Sequence, residues 1–267
     1  MSMNEKRKVW LAVGAALVGS STLQADELKV TAHEHHSMSI IAPFEGGGEG
    51  EGEGSGAVDL RINDSAYLAQ LGLIRGHLYV GKKLYDQGHL AMAKTHMKHP
   101  EDELYTALVP AFQARNVAGF EAELTALANA VNDEQGDAAV NNAYDGLVAA
   151  ITAAEQIPQK SVKSVLMSLS TMLLTAAAEY DIGVKQGTVV NVHEFQDAYG
   201  FTQMAKARIN ELTATQRAGN TAAIEEVNKI LAKLPELWPT ITPTGEVEGD
   251  SGPLYGAAAR IELATLN

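Results

Sequence analysis

The sequence predicts an all-α protein, an antiparallel bundle of eight or nine helices that follows an unfolded N-terminal tail. Three observations predict it. From Asp64 onward apolar residues recur with a 3.6-residue period and no stretch alternates convincingly as a strand. Alanine is heavily used while aromatics make up only 6% of the chain, a bias toward helices packed closely through small side chains. Glycines and prolines punctuate the pattern at short intervals, so neighbouring helices should run antiparallel.

The first helix is predicted from Asp64 or Ser65, as cap, to about Gln87, with Tyr67, Leu71, Ile74, Leu78 and Gly81 along one face and Gly88 closing it. A second covers His89 to Lys98 and breaks at His99-Pro100, because the residue before proline is pushed out of the α region. Pro100 then suits the first position of a third helix, with Glu101, Asp102 and Glu103 at the positive end of its dipole. Further helices are expected at Gly119–Val131, Ala138–Gln156, Ser161–Val184, Asn191–Leu212 and Thr221–Leu234. Pro235, Pro239 and Pro243 make an irregular stretch, and Leu254–Leu266 forms a closing helix. A weak echo, Tyr79-Val80-Gly81 to Met92-Ala93-Lys94 against Ile182-Gly183-Val184 to Met204-Ala205-Lys206, hints at two pseudo-repeated halves, 59–157 and 158–267.

The N-terminus reads as a secretory signal: basic Lys6-Arg7-Lys8, apolar Val9 to Gly19, then a polar stretch ending at Ala25. The apolar run is too short to span a bilayer, so cleavage after Ala25 and a periplasmic or secreted location are expected, with nothing spanning the membrane afterwards. Residues 26–58 hold His33, His35, His36 and Met38 and a Gly/Glu-rich tract, which reads as a flexible tether whose histidines either capture metal weakly or are solvated filler. The folded domain should occupy 59–267. Of 20 basic and 33 acidic residues, the signal removes Lys6, Arg7, Lys8 and Glu5, leaving 17 against 32 and a net charge of −15. Such a surface repels nucleic acid. The chain has no cysteine, which excludes disulfides, thiolate nucleophiles and thiolate metal sites.

Two segments of the folded part carry candidate ligands. In the first, His89, Met92, His96 and His99 fall within a helical stripe about 80° wide at about 100° per residue, with His77 upstream and Glu103 downstream. Imidazole suits iron, copper and zinc, and thioether adds affinity for cuprous copper. The bland reading is a cap at His99, a gap-filling Met92 and a satisfied interface histidine at His96. In the second segment, Glu179 follows Met172 by seven residues on the most apolar helix and should be buried, where a carboxylate needs a cation, a proton or a metal. Glu194 and Asp197, three apart on the next helix, can meet it across a short antiparallel turn, although ordinary helix surface with Asn191 as a cap reads the same residues.

The pattern over 179–197, Glu179-Tyr180, Gly183, Gly187, Asn191, then Glu194-Phe195-Gln196-Asp197, resembles a segment of the extracytoplasmic helical domains attached to, or encoded beside, high-affinity iron permeases. The resemblance implies metal or proton handling by Glu179, Glu194 and Asp197. The permease's own Arg-Glu-x-x-Glu motif is absent, so the resemblance implies a soluble accessory. The His-rich first segment is loosely similar to exported iron-binding proteins of the imelysin type, but their Gly-x-His-x-x-Glu element is not matched, since Gly76-His77 leads into Leu78, Tyr79 and Val80.

No nucleophile elbow, phosphate loop, dinucleotide fingerprint or covalent haem motif occurs, so an enzyme is not expected. The sequence thus predicts an exported accessory protein that binds a transition metal, iron before copper or zinc, through His77, His89, His96, His99, Glu103, Glu179, Glu194 and Asp197. It would hand the ion to a membrane transporter or a redox partner, with affinity falling as pH drops and His protonates. Two alternatives stay open: a helical-repeat interaction module without metal, and a haem or copper chaperone that uses His77 and His96. Oligomeric state is not legible.

Overall fold

The computed structural model describes residues 58–267 apart from 101–103, 159, 244 and 267, and of His99 the backbone alone. The expected signal, the tether up to residue 57 with its histidines, and Glu103 all lie outside the described residues.

Ten α-helices are formed among the described residues: α1 Asp64–Asp86, α2 Leu90–Pro100, α3 Thr106–Arg115, α4 Glu121–Asn132, α5 Asp137–Ala154, α6 Val162–Gly183, α7 Val192–Asn210, α8 Ala214–Ala218, α9 Thr221–Leu231 and α10 Gly252–Ala264. Short α8, opened by a capping box at Thr213 and Gln216, carries too little periodicity to stand out in the sequence. The cap of α1 is Asn63 rather than Asp64 or Ser65; its Oδ1 accepts the Ala66 N–H at 2.9 Å. Gly88, at φ +80°, turns the chain out of α1 in the left-handed conformation that a Cβ disfavours.

Two expectations fail locally. Helix α2 does not break at His99; it runs through Pro100, which is therefore not the first residue of α3. Pro100 has no N–H to give the His96 carbonyl four residues earlier, so the helix carries it at the loss of that one bond. The segment between α6 and α7 is a small antiparallel hairpin, β1 Val184–Lys185 with β2 Thr188–Val189. Gln186 and Gly187 both take positive φ, 52° and 79°, the signature of a two-residue hairpin turn. A strand of two residues is too short to alternate visibly in sequence.

Helices α1, α6 and α7 pack against one another at the centre, α2 lies on α1, and α10 covers α6. These contacts cross between the two expected halves. Helix α6 is long and apolar enough to cross a membrane, with a mean hydropathy of 1.2, but 61% of that window is buried inside the bundle. Val165, Leu169, Met172, Leu173 and Ala176 on it are fully buried. Burying each of the larger ones contributes roughly 1.5–3 kcal/mol.

A crossing of α1 over α7 sets the position of everything that follows. A Cβ on Gly200 would stand 2.5 Å from the Gly76 carbonyl oxygen, and one on Gly76 would stand 3.1 Å from the Gly200 carbonyl carbon. The two backbones therefore touch, and only glycine permits it. His77 follows Gly76 directly, and Asp197 lies one turn before Gly200.

Candidate metal centre

Lower in this core a second charged cluster shows how the fold treats buried ions. Arg208 Nη2 donates to Glu155 Oε1 at 2.5 Å and Nη1 to the Leu68 carbonyl at 2.6 Å, and Arg75 reaches the other Glu155 oxygen at 3.0 Å. Burial works to raise Glu155, but the two guanidiniums win and hold its carboxyl below the usual value. Each Glu155 oxygen faces a permanent cation, so that carboxylate is compensated, although Arg208 Nε has no hydrogen-bond partner among the described residues.

The cluster around Asp197 is different. Its carboxylate is wholly buried and meets three imidazoles from three helices. His77 Nδ1 on α1 lies 2.7 Å from Oδ1, and His96 Nδ1 on α2 lies 2.9 Å from the same oxygen. His193 Nδ1, one turn before Asp197 on α7, lies 3.3 Å from Oδ2. The His193 ring stacks on His96 with centroids 4.2 Å apart and planes 20° from parallel. Phe201 stands edge-on to His77 at 5.0 Å and closes the inner side.

Local structure explains how these side chains converge. Asn191 caps α7, its Oδ1 accepting the His193 N–H at 3.1 Å, which starts the helix where His193, Glu194 and Asp197 share a face. Gly183 ends α6 and accepts the Val190 and Asn191 N–H groups at 2.8 and 3.1 Å. A Cβ there would meet the Phe195 nitrogen at 2.6 Å, so the first turn of α7 rests directly on the end of α6. That contact brings Glu179, buried on α6, into a hydrogen bond with Glu194.

The tautomer of His96 can be deduced. Gln196 Nε2 donates to the Ile241 carbonyl at 2.9 Å, which turns the amide oxygen toward His96, 2.8 Å from its Nε2. An amide oxygen only accepts, so His96 Nε2 carries the proton. In neutral His96 the lone pair of Nδ1 is then bare and faces a carboxylate oxygen at 2.9 Å. Two acceptors do not approach so closely without a positive charge between them. That charge is either a proton, giving imidazolium, or a cation. Neither His96 Nδ1 nor the Asp197 oxygens have a hydrogen bond of good alignment, although all three atoms are buried.

The electrostatics agree that positive charge belongs here. Burial alone would raise the Asp197 carboxyl, but the His77 and His96 imidazoles overcome it and hold the group well below the usual carboxylate range. Burial likewise works to raise Glu194, and hydrogen bonds to His193 and Glu179 outweigh it to leave a net lowering. Burial pushes the His193 imidazole down, the hydrogen bond to Glu194 and the charge of Asp197 push it up, and the balance is upward.

Among the described residues, two groups offer ligand atoms within 4.8 Å of one another: His77, His96 and Asp197, and His193, Glu194 and Asp197. Ligands about 2.1 Å from one ion lie roughly 3 Å apart or more. The 2.7 and 2.9 Å approaches to Asp197 Oδ1 need to open by only a few tenths of an ångström to admit one. Two imidazoles and one carboxylate form the donor set typical of non-haem ferrous sites.

Of the residues expected from the sequence, His77, His96, Glu194 and Asp197 come together, and Glu179 joins through Glu194. His89 does not; it is exposed and precedes α2. The expected ligand stripe of α2 is therefore not one coordinating face. Met92 turns its sulfur toward Gln196 Nε2 at 3.5 Å instead. The side chains of His99 and Glu103 lie outside the described residues. His193 stands in the second segment and joins the cluster although the expected ligand set leaves it out, and Gln196 enters as the partner of His96. Their signal was available: His193 and Asp197 are four apart, and Gln196 stands beside Asp197. The His77 and His96 rings, 6.2 Å apart, both turn Nδ1 onto one carboxylate oxygen.

Fold and site together define an all-α bundle with a buried imidazole and carboxylate centre shared among its central helices. Residues 156–262 match the sequence model of the iron permease-associated 4-helix bundle domain. The match runs from just after α5 into α10 and includes the 179–197 segment, with Glu179, His193, Glu194 and Asp197, while His77 and His96 precede it. No curated protein and no solved structure matches the chain.

Proposed function

We propose that this chain is an exported accessory protein of iron uptake, which binds a transition-metal ion in the core of its bundle and passes it to a membrane transporter. In this reading the ion is cargo, and no reaction is assigned to the protein. The observation that carries the proposal is the meeting of His96 Nδ1 and Asp197 Oδ1 at 2.9 Å, with the Nε2 proton committed to Gln196. Metal-binding imidazoles characteristically spend their other ring N–H in this way.

Iron is favoured by the donor set. Imidazole with carboxylate suits ferrous iron, thiolates are absent from the chain, and the nearby Met92 thioether is turned to Gln196. The match to an iron permease-associated domain supports the same cargo and a transporter as partner. The basic and apolar N-terminal zones support export to the periplasm or beyond.

The test uses the full chain without an affinity tag, with His33, His35 and His36 changed to Ala so that the tail does not contribute. Ferrous, cuprous and zinc ions are added separately, and retention after desalting is measured. Stoichiometric ferrous retention lost in both His96→Ala and Asp197→Ala is expected. Retention unchanged in both would remove the bundle-core site and favour an interaction module instead.

A further inference from the structure

Asp197 has two oxygens, and the fold uses them separately. Oδ1 faces His77 and His96 at 2.7 and 2.9 Å; Oδ2 faces His193 at 3.3 Å. The ligand atoms fall into two triads that share only Asp197, rather than into one set of five. A site for one ion needs only one such triad.

The two triads also differ in access. His77, His96 and Asp197 are sealed from solvent, whereas the His193 and Glu194 side chains are 20% and 23% exposed. The second triad therefore lies on the solvent side of the first, and the stacked rings of His96 and His193 join them. Charge points the same way. One divalent ion beside Asp197 leaves the hydrogen-bonded pair Glu194 and Glu179 still half-buried or buried, and such a pair holds a shared proton or a cation.

We propose that the centre holds two divalent cations bridged by Asp197: an inner ion on His77, His96 and Oδ1, and an outer ion on His193, Glu194 and Oδ2. The outer position is where the ion arrives from solvent, and the inner position is where it is retained. Carboxylate-bridged pairs of this kind place their ions about 3.5–4 Å apart. This inference rests on the iron-binding reading above and specifies its stoichiometry and route.

The experiment is anaerobic equilibrium dialysis of ferrous iron against the full chain carrying the tail substitutions His33→Ala, His35→Ala and His36→Ala. Two equivalents are expected. His193→Ala should bind one, His77→Ala should lose the tightly retained equivalent, and Asp197→Ala should lose both. Thermal melting checks that each variant folds, and Glu194→Gln, which keeps its shape, carries the same expectation as His193→Ala. One equivalent in the parent chain, unchanged in His193→Ala and Glu194→Gln, overturns the bridged pair and leaves the single-ion reading standing. Two equivalents unchanged in those variants also overturn it, because the second ion then sits elsewhere. No equivalents at all in the parent chain overturn the iron-binding reading itself.

Discussion

His77 on α1 and Asp197 on α7 meet at 2.7 Å with both side chains fully buried, one residue and one turn away from the point where Gly76 and Gly200 bring the two helices into backbone contact. These two ligands are thus held beside a helix crossing at backbone contact. Binding and stability are coupled at this point, and several consequences can be measured.

Asp197→Ala removes the one carboxylate shared by three imidazoles. Breaking a buried charged pair typically costs roughly 3–5 kcal/mol. We expect a lower denaturation midpoint in urea without metal, and no recovery when metal is added. Recovery by metal would mean that the ion binds elsewhere.

Gly200→Ala forces a methyl group against the Gly76 carbonyl, 2.5 Å away. Overpacking of this kind costs about 1–3 kcal/mol and should also weaken metal retention by parting α1 from α7. Gly146→Ala on exposed α5, with nothing within 4 Å, is the control and should stabilise by up to about 1 kcal/mol. Equal effects of the two substitutions in thermal melts would deny the crossing its role.

Gln196→Leu removes the acceptor that fixes the His96 ring while leaving every ligand in place. Loss of such an orienting partner typically weakens metal binding about 10–100-fold. Competition against a chelator of known affinity measures it, and an unchanged affinity would refute the tautomer argument.

Glu155 gives the pH dependence. Its folded carboxyl is held below the ordinary value of 4.5, against burial and by virtue of Arg208 and Arg75. A lowered folded value contributes stability that is present above pH 4.5 and is lost as pH falls through the folded value. Thermal midpoints should therefore drop below pH 4.5 in the parent chain, and Glu155→Gln should flatten that decline while lowering the midpoint at neutral pH. A decline of equal steepness in the variant would place the acid sensitivity elsewhere.

The helices were largely legible because α1, α6 and α7 each present a long apolar face, and burial of that face fixes both period and length. Glu179 was legible for the same reason, since its place on the most apolar helix required burial. What the sequence hid is long-range. His89 projects onto the same stripe as His96, but it precedes α2 and is exposed, while His96 lies on the helix where α2 packs on Gly81 of α1. His193 stands apart from the other histidines in the sequence, and the Gly183 contact, which lays α7 on α6, is what brings it to the cluster. Pro100 misled because α2 carries it at the loss of one backbone bond.

The central claim is that imidazole nitrogens inside the bundle bind iron. X-ray absorption at the iron edge of the ferrous-loaded chain, with tail histidines replaced, tests it most directly. The account predicts a first shell of nitrogen and oxygen at roughly 2.0–2.2 Å with outer-shell scattering from imidazole rings that weakens in His77→Ala/His96→Ala. An oxygen-only shell with no imidazole scattering, or a spectrum that the double substitution leaves unchanged, would contradict it.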